Sequence, residues 1–130
     1  MNITLGRQGN KENNILTVQE LEQVPNAACL EIDCKDTLDF VDDRHRMLGL
    51  VFSKLRHGGR VIIEGVDLLQ VSQAIAIGRL DLLQAEAVLY NQRKSATSSK
   101  AVIDFCNNSQ FKLLKVFNEG LQYHIVAERQ

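Results

Sequence analysis

The chain has 130 residues, 45% hydrophobic and 24% charged, with no Trp and one Pro. That is enough for one substantial core and too little for two. The formal net charge is −1, and the lysines and arginines are scattered. This argues against a nucleic-acid footprint, which needs clustered cations. No apolar run approaches the ~20 residues of a membrane span. The first residues, Met1 to Leu5, lack a basic region followed by an apolar core. No secretory signal is evident, and the chain reads as cytoplasmic. Cys29, Cys34 and Cys106 are odd in number and show no C-x-x-C spacing. They read as buried free thiols in a reducing compartment.

Taken in order, Asn2–Leu5 predicts a short strand. The polar segment from Gly6 to Asn14 reads as a loop. Thr17-Val18-Gln19-Glu20 matches a capping box, so a short helix is expected over Thr17 to Gln23, ended by Pro25-Asn26. Ala28–Asp33 is a second strand candidate. Asp36 has the character of an N-cap, with Asp39 adding charge in the first turn. A helix is expected from about Thr37 to Arg56. Phe40, Met47, Leu48, Val51 and Leu55 form its apolar stripe. Gly58 or Gly59 is expected to cap its C-terminus.

Arg60–Val66 contains three consecutive β-branched residues, as in a strand covered on both faces. Two parallel strands joined by a helix make a right-handed crossover. Asp67 is expected to cap a helix through Ile77, ended by Gly78. A further helix is expected over Leu80–Asn91, with Leu83, Ala87 and Tyr90 on one face. Gln92 to Ser99 reads as a surface loop, and Lys100–Asn107 as a last helix. Phe111–Phe117, a turn at Asn118-Glu119-Gly120, and the alternating arm Leu121–Glu128 predict a closing hairpin.

The segment Leu55-Arg56-His57-Gly58-Gly59-Arg60-Val61-Ile62-Ile63-Glu64-Gly65 resembles the fifth-strand entry of class I S-adenosylmethionine (SAM)-dependent methyltransferases. That family commonly has Pro where His57 stands. The closing hairpin is similar to the family's sixth and seventh strands, and Ala28–Asp33 would be the fourth. The resemblance covers roughly residues 28 to 128. It implies a single α/β domain over 1–130, with a three-layer Rossmann-like sheet of about five strands. Residues 1–27 would be a reduced N-terminal part and residues 28–130 the C-terminal half. It also implies a last strand inserted antiparallel between Arg60–Val66 and an edge strand Phe111–Phe117.

The departures bear on function. The family's first strand leads into a Gly-x-Gly-x-Gly loop, and an acid ending the second strand holds the cofactor's ribose; backbone approach and a diol both require such groups. Here Leu5-Gly6-Arg7-Gln8-Gly9 is at best a remnant of the loop, and no ribose-binding acid can be assigned. Under an enzyme reading, Gly6 and Gly9 would cradle SAM, and Asp33 or Glu64 would position it or the acceptor. Helix capping accounts for Asp36 and Asp67 without any ligand. His45, His57 and His124 are unpaired in sequence, so no metal triad or catalytic constellation is nominated. Arg93, Lys94 and Lys100 read as a solvated charged loop rather than a phosphate site.

The expectation is a methyltransferase-like domain without a complete SAM site and without a bound cofactor, used as an interaction or assembly module. Its N-terminal strand would be an exposed edge, so a homo-oligomer or a larger protein partner is expected. The alternative is a small active SAM-dependent methyltransferase, its site completed by a partner chain. A plain nucleotide-binding domain would leave the hairpin unexplained.

Overall fold

The computed structural model describes residues 1–6, 8–35, 37–41, 43–90, 93 and 96–130, without the side chains of Lys11 and Asp39. Six strands form one mixed sheet: β1 (Asn2–Leu5), β2 (Ile15–Leu16), β3 (Cys29–Lys35), β4 (Leu55–Val66), β5 (Phe111–Glu119) and β6 (Gln122–Arg129). Their order is β2-β1-β3-β4-β6-β5. The first four are parallel. β6 runs antiparallel between β4 and β5. The insertion implied by the resemblance is therefore present. Gly120, at φ 60°, turns the hairpin.

Among the described residues, five α-helices accompany the sheet: α1 (Val18–Leu21), α2 (Arg44–Lys54), α3 (Leu68–Ala76), α4 (Leu82–Leu89) and α5 (Ser99–Asn107). Pairing register puts Ile3 and Leu5 of β1, Ile32 and Cys34 of β3, Val61 and Ile63 of β4, and Tyr123, Ile125 and Ala127 of β6 on one face. All are buried, in one cluster with Leu21 of α1, Val51 of α2 and Val102 of α5. Helices α1, α2 and α5 thus cover this face, and its alternation gives the strands their period of two.

The opposite face carries Thr4, Glu31, Asp33, Ile62, Glu64, His124, Val126 and Glu128. None of these is buried. Helical cover here is confined, among the described residues, to the end of β4, where α3 and α4 pack around Val66 in a small second cluster with Val71 and Ala85. The polar alternation of β6 follows from this open face. A strand needs apolar residues on both sides only where both sides are covered.

Several expectations change. The N-terminal strand is not the sheet's edge: β2, two residues long, pairs with it, Thr4 opposite Ile15 and Leu5 opposite Leu16. Helix α2 starts at Arg44, not Thr37. Leu38–Phe40 is a 3-10 turn, and Val41 is extended. Thr37 turns inward, its hydroxyl donating to Lys35 O at 3.0 Å. Asp43 is the N-cap, accepting from Arg46 N at 3.1 Å; the N-cap expected at Asp36 lies outside the described residues. Nor does the Gly pair cap α2. The helix ends at Lys54 and Leu55 is already extended. Gly58, at φ 80°, lies within β4, where the register with β3 shifts. A Cβ on Gly59 would lie 2.9 Å from Cys29 O, so a side chain there would strike β3.

Other features match. Thr17 and Glu20 form the capping box of α1. Asp67 caps α3, and α5, expected from Lys100, starts at Ser99 with Ser98 as its N-cap. Helix α4 begins later than expected, with Asp81 as its cap. The face formed by Leu83, Ala87 and Tyr90 points to solvent. Ala85 is the buried position instead.

Candidate functional site

In an open parallel sheet, ligands meet the carboxyl ends of the strands. Here that edge comprises the residues after Leu5, Lys35 and Val66. Each end is tied down by the chain itself. After β1, the loop folds back: Thr4 N donates to Asn14 O at 3.0 Å and Gly6 N to Leu16 O at 2.9 Å. After β3, the Thr37 hydroxyl is buried against the carbonyls of Lys35 and Leu5. After β4, Asp67 is 1% exposed. Its Oδ1 accepts from Leu69 N at 3.0 Å and its Oδ2 from Ser99 N at 3.4 Å. Its own N–H donates to Leu121 O at 2.8 Å. Asp67 joins β4, α3, α5 and the β5–β6 hairpin, and both carboxylate oxygens are engaged in doing so.

The glycines that would approach a cofactor are packed by neighbours from the same chain. A Cβ on Gly6 would meet Ile15 Cγ2 at 3.0 Å. One on Gly9 would strike the carboxylate of Glu20. That carboxylate is held by the capping box, Glu20 Oε1 accepting from Thr17 N at 3.2 Å. A phosphate- or methionine-binding glycine loop needs open space beside the glycines, because ligand atoms fill what a side chain would fill. At Gly9 a carboxylate fills that space, and at Gly6 a methyl group crowds it. Both glycines are thus packed by side chains of their own chain.

Asp33 and Glu64 sit elsewhere, on the open sheet face, on adjacent strands. Asp33 Oδ1 accepts from Lys35 N at 3.0 Å, and Lys35 Nζ lies 3.5 Å from Oδ2. Glu64 pairs across β4–β6 with His124, whose Nδ1 lies 2.9 Å from Glu64 Oε1. The structure therefore brings Asp33 and Glu64 to one face, and Gly6 and Gly9 to the loop beyond it.

His124 is the residue missed in sequence. Besides Glu64, it has Glu119 Oε2 3.7 Å from Nε2, and Phe117 stacks on its ring at 4.5 Å with an interplanar angle of 7°. Phe117 could have been paired with His124 by counting back from the turn at Gly120. The Glu64 contact could not, because it depends on the β4–β6 register. The imidazole bridges three strands. Its Nε2 is buried.

Two arginines are engaged in the fold. Arg93 Nε donates to Val88 O at 3.0 Å, and its guanidinium lies 4.8 Å from the Phe40 ring centroid. Lys94 lies outside the described residues. Arg129 donates to Leu55 O at 2.6 Å and Phe52 O at 3.0 Å. A cleft of about 50 Å³ opens between α2 and α5, beside Arg44, His45, Thr97 and Phe105. That is room for a few waters, far below the ~300 Å³ of a typical ligand pocket. No cluster of three or more His, Cys, Asp or Glu able to hold a metal occurs among the described residues. No described helix is long and apolar enough to cross a membrane.

All three cysteines are free and buried. Burial pushes the Cys106 thiol up to about 11, and pushes Cys34 and Cys29 up as well. Such thiols are poor nucleophiles, since the thiolate is the reactive form.

No protein-family model matches the sequence. No curated protein matches it either. Its fold does match solved structures. A SAM-dependent methyltransferase from Thermotoga maritima aligns with 92% of this chain and 67% of its own, at a TM-score of 0.63 and 17% identity. One from Archaeoglobus fulgidus aligns over 89% and 67%, at 0.61 and 11%. One from Mesorhizobium loti aligns over 82% and 64%, at 0.61 and 15%. The chain spans about two thirds of the length of these proteins. Its fold is that of the class I methyltransferases.

Proposed function

We propose that this chain is a methyltransferase-type fold serving as a non-catalytic assembly module, without a self-contained SAM site. The observation that carries this reading is the packing after β1. Ile15 stands against Gly6 and the Glu20 carboxylate against Gly9. The connection from β1 to β2 is the length of one loop, and β2 has two residues.

The open sheet face supports a second reading, a site completed by a partner chain. That face carries Asp33 and Glu64 and, among the described residues, lacks helical cover over most of its area. A partner supplying the missing layer could build a cofactor pocket against it. Methyl transfer asks mainly for alignment of acceptor and methyl group, so a shared site could suffice without an acid–base apparatus.

Calorimetric titration of the purified chain with SAM and with its demethylated product separates these readings from a self-sufficient enzyme. The module reading expects no heat and no thermal stabilisation. A Kd at or below about 100 μM, roughly −5.5 kcal/mol, overturns it.

A further inference from the structure

The cleft between α2 and α5 lies where both helices begin. Arg44 and His45 open α2, Thr97 immediately precedes the N-cap of α5, and Ala101 belongs to that helix's first turn. Leu48, Val102 and Phe105 complete the lining. At eleven and nine residues, each helix presents the positive end of its dipole here.

Thr97 marks the cleft as more than a gap. The residue is 4% exposed, and its Oγ1 is buried with no hydrogen-bond partner among the described residues. Its backbone is engaged, Thr97 O accepting from Leu68 N at 2.9 Å, but its hydroxyl is not. Buried hydroxyls are nearly always paired, because one shut away from water without a partner costs free energy. The cleft that Thr97 lines is the space from which a partner can come.

Charge says what kind of partner. The first turn of α2 reads Arg44-His45-Arg46 and that of α5 Ser99-Lys100-Ala101, with no acid in either. A helix N-terminus disfavours cations and favours anions. Local conflicts of this kind are expected at functional sites. The neighbouring carboxylates are engaged elsewhere. Asp43 Oδ1 accepts from Arg46 N at 3.1 Å, and Asp67 accepts from Leu69 N and Ser99 N. Among the described residues, no Asp or Glu lines the cleft. Arg44 is held beside Thr97, its Nη1 donating to Ala96 O at 2.8 Å. His45 offers an N–H in either protonation state. Size narrows the choice. The cleft holds about 50 Å³, and one water takes ~10–15 Å³ by the same measure. That is room for a group of about four or five heavy atoms.

We propose that this cleft binds a phosphate group, with Thr97 Oγ1 and the His45 imidazole donating to its oxygens beside the Arg44 guanidinium. Free phosphate and a phosphomonoester share that chemistry. A monoester leaves its organic part outside, over the exposed Ala101 and His45. The site is independent of the assembly reading and of the SAM question.

The test follows backbone amides of the whole chain by nuclear magnetic resonance during titration with sodium phosphate and, separately, with glycerol 3-phosphate. About 150 mM sodium chloride screens loose surface attraction beyond ~8 Å. Saturable shifts at His45, Thr97 and Ala101 are expected, with a Kd at or below about 1 mM. Equal Kd values assign the free ion, and a lower value for the ester assigns a monoester. Thr97→Val keeps the side-chain shape and removes the hydroxyl. It is expected to leave the urea midpoint of the ligand-free chain unchanged or higher, since no partner is lost. It is expected to raise the Kd about tenfold or more, the effect of losing a hydrogen bond to a charged acceptor. Should it fail to fold, His45→Ala tests the same site at an exposed residue, with a severalfold rise in Kd expected. His57→Ala removes an imidazole near the start of β4, where Nδ1 lies 2.9 Å from Gln130 O, and is expected to leave the Kd unchanged.

The absence of a saturable shift with either compound overturns the inference. So does a Kd that neither Thr97→Val nor His45→Ala moves, or one that His57→Ala weakens equally. A lower urea midpoint in Thr97→Val also overturns it, because the hydroxyl would then have its partner inside the fold.

Discussion

The carboxylate of Glu20 lies against Gly9, in the space a side chain at Gly9 would need. The same carboxylate accepts from Thr17 N and so caps α1. One side chain therefore closes the loop after β1 and starts the helix after β2.

Breaking this arrangement has a defined cost. Thr17→Ala removes the capping hydroxyl and is expected to destabilise the protein by about 1 kcal/mol. Gly9→Ala forces the Glu20 side chain aside. Because that side chain is flexible, the loss is expected to stay below about 2 kcal/mol, from the cap rather than from strain. Urea denaturation of both variants checks these values. Neither variant is expected to acquire affinity for SAM.

A second close approach joins Gly65 to Tyr123. The two are register partners across β4 and β6, and a Cβ on Gly65 would lie 3.0 Å from the Tyr123 Oη and 3.2 Å from its ring carbons. Tyr123 is wholly buried, so the ring has little freedom to move. Gly65→Val is expected to cost about 1–3 kcal/mol by overpacking. A denaturation midpoint equal to wild type would show that Tyr123 has room to yield.

The cysteines predict an alkaline limit to stability. Cys106 titrates near 11 in the folded chain, against an ordinary value of 9.0. A raised folded value means that the folded chain keeps a proton which the unfolded chain releases. Stability is then full below about pH 9 and falls as the pH climbs through 11. Cys34 and Cys29 act in the same direction. Denaturation midpoints at pH 8 and pH 10.5 should fall in that order. At pH 8 the native chain should react slowly with a thiol reagent, and quickly once unfolded.

Much of this fold was legible in sequence because several local signals are self-contained. The run Val61-Ile62-Ile63 marks β4. Period-two alternation and Gly120 mark the hairpin, and Thr17-x-x-Glu20 marks α1. Where competing local signals existed, tertiary contacts decided. Thr37 could have capped a helix, but its hydroxyl joins the ends of β1 and β3. Gly58 could have closed α2, but β4 begins first and takes the positive φ into its own irregularity. The two residues of β2 carry no strand signal of their own; pairing with β1 recruits them. The site was less legible for the same reason. Nothing in the spacing of Gly9 and Glu20 shows that they touch, and Glu64 meets His124 only through the register of β4 with β6. The face of α4 was visible as a face, but the fold buries Ala85 instead.

The most direct test of the account follows the backbone amides of Gly6, Gly9, Asp33 and Glu64 by nuclear magnetic resonance while SAM is added to the isolated chain. A loop filled by Ile15 and Glu20 predicts no saturable shift at any of the four. Saturable shifts at Gly6 and Gly9 would contradict it, because the glycine loop would then have opened to admit the cofactor.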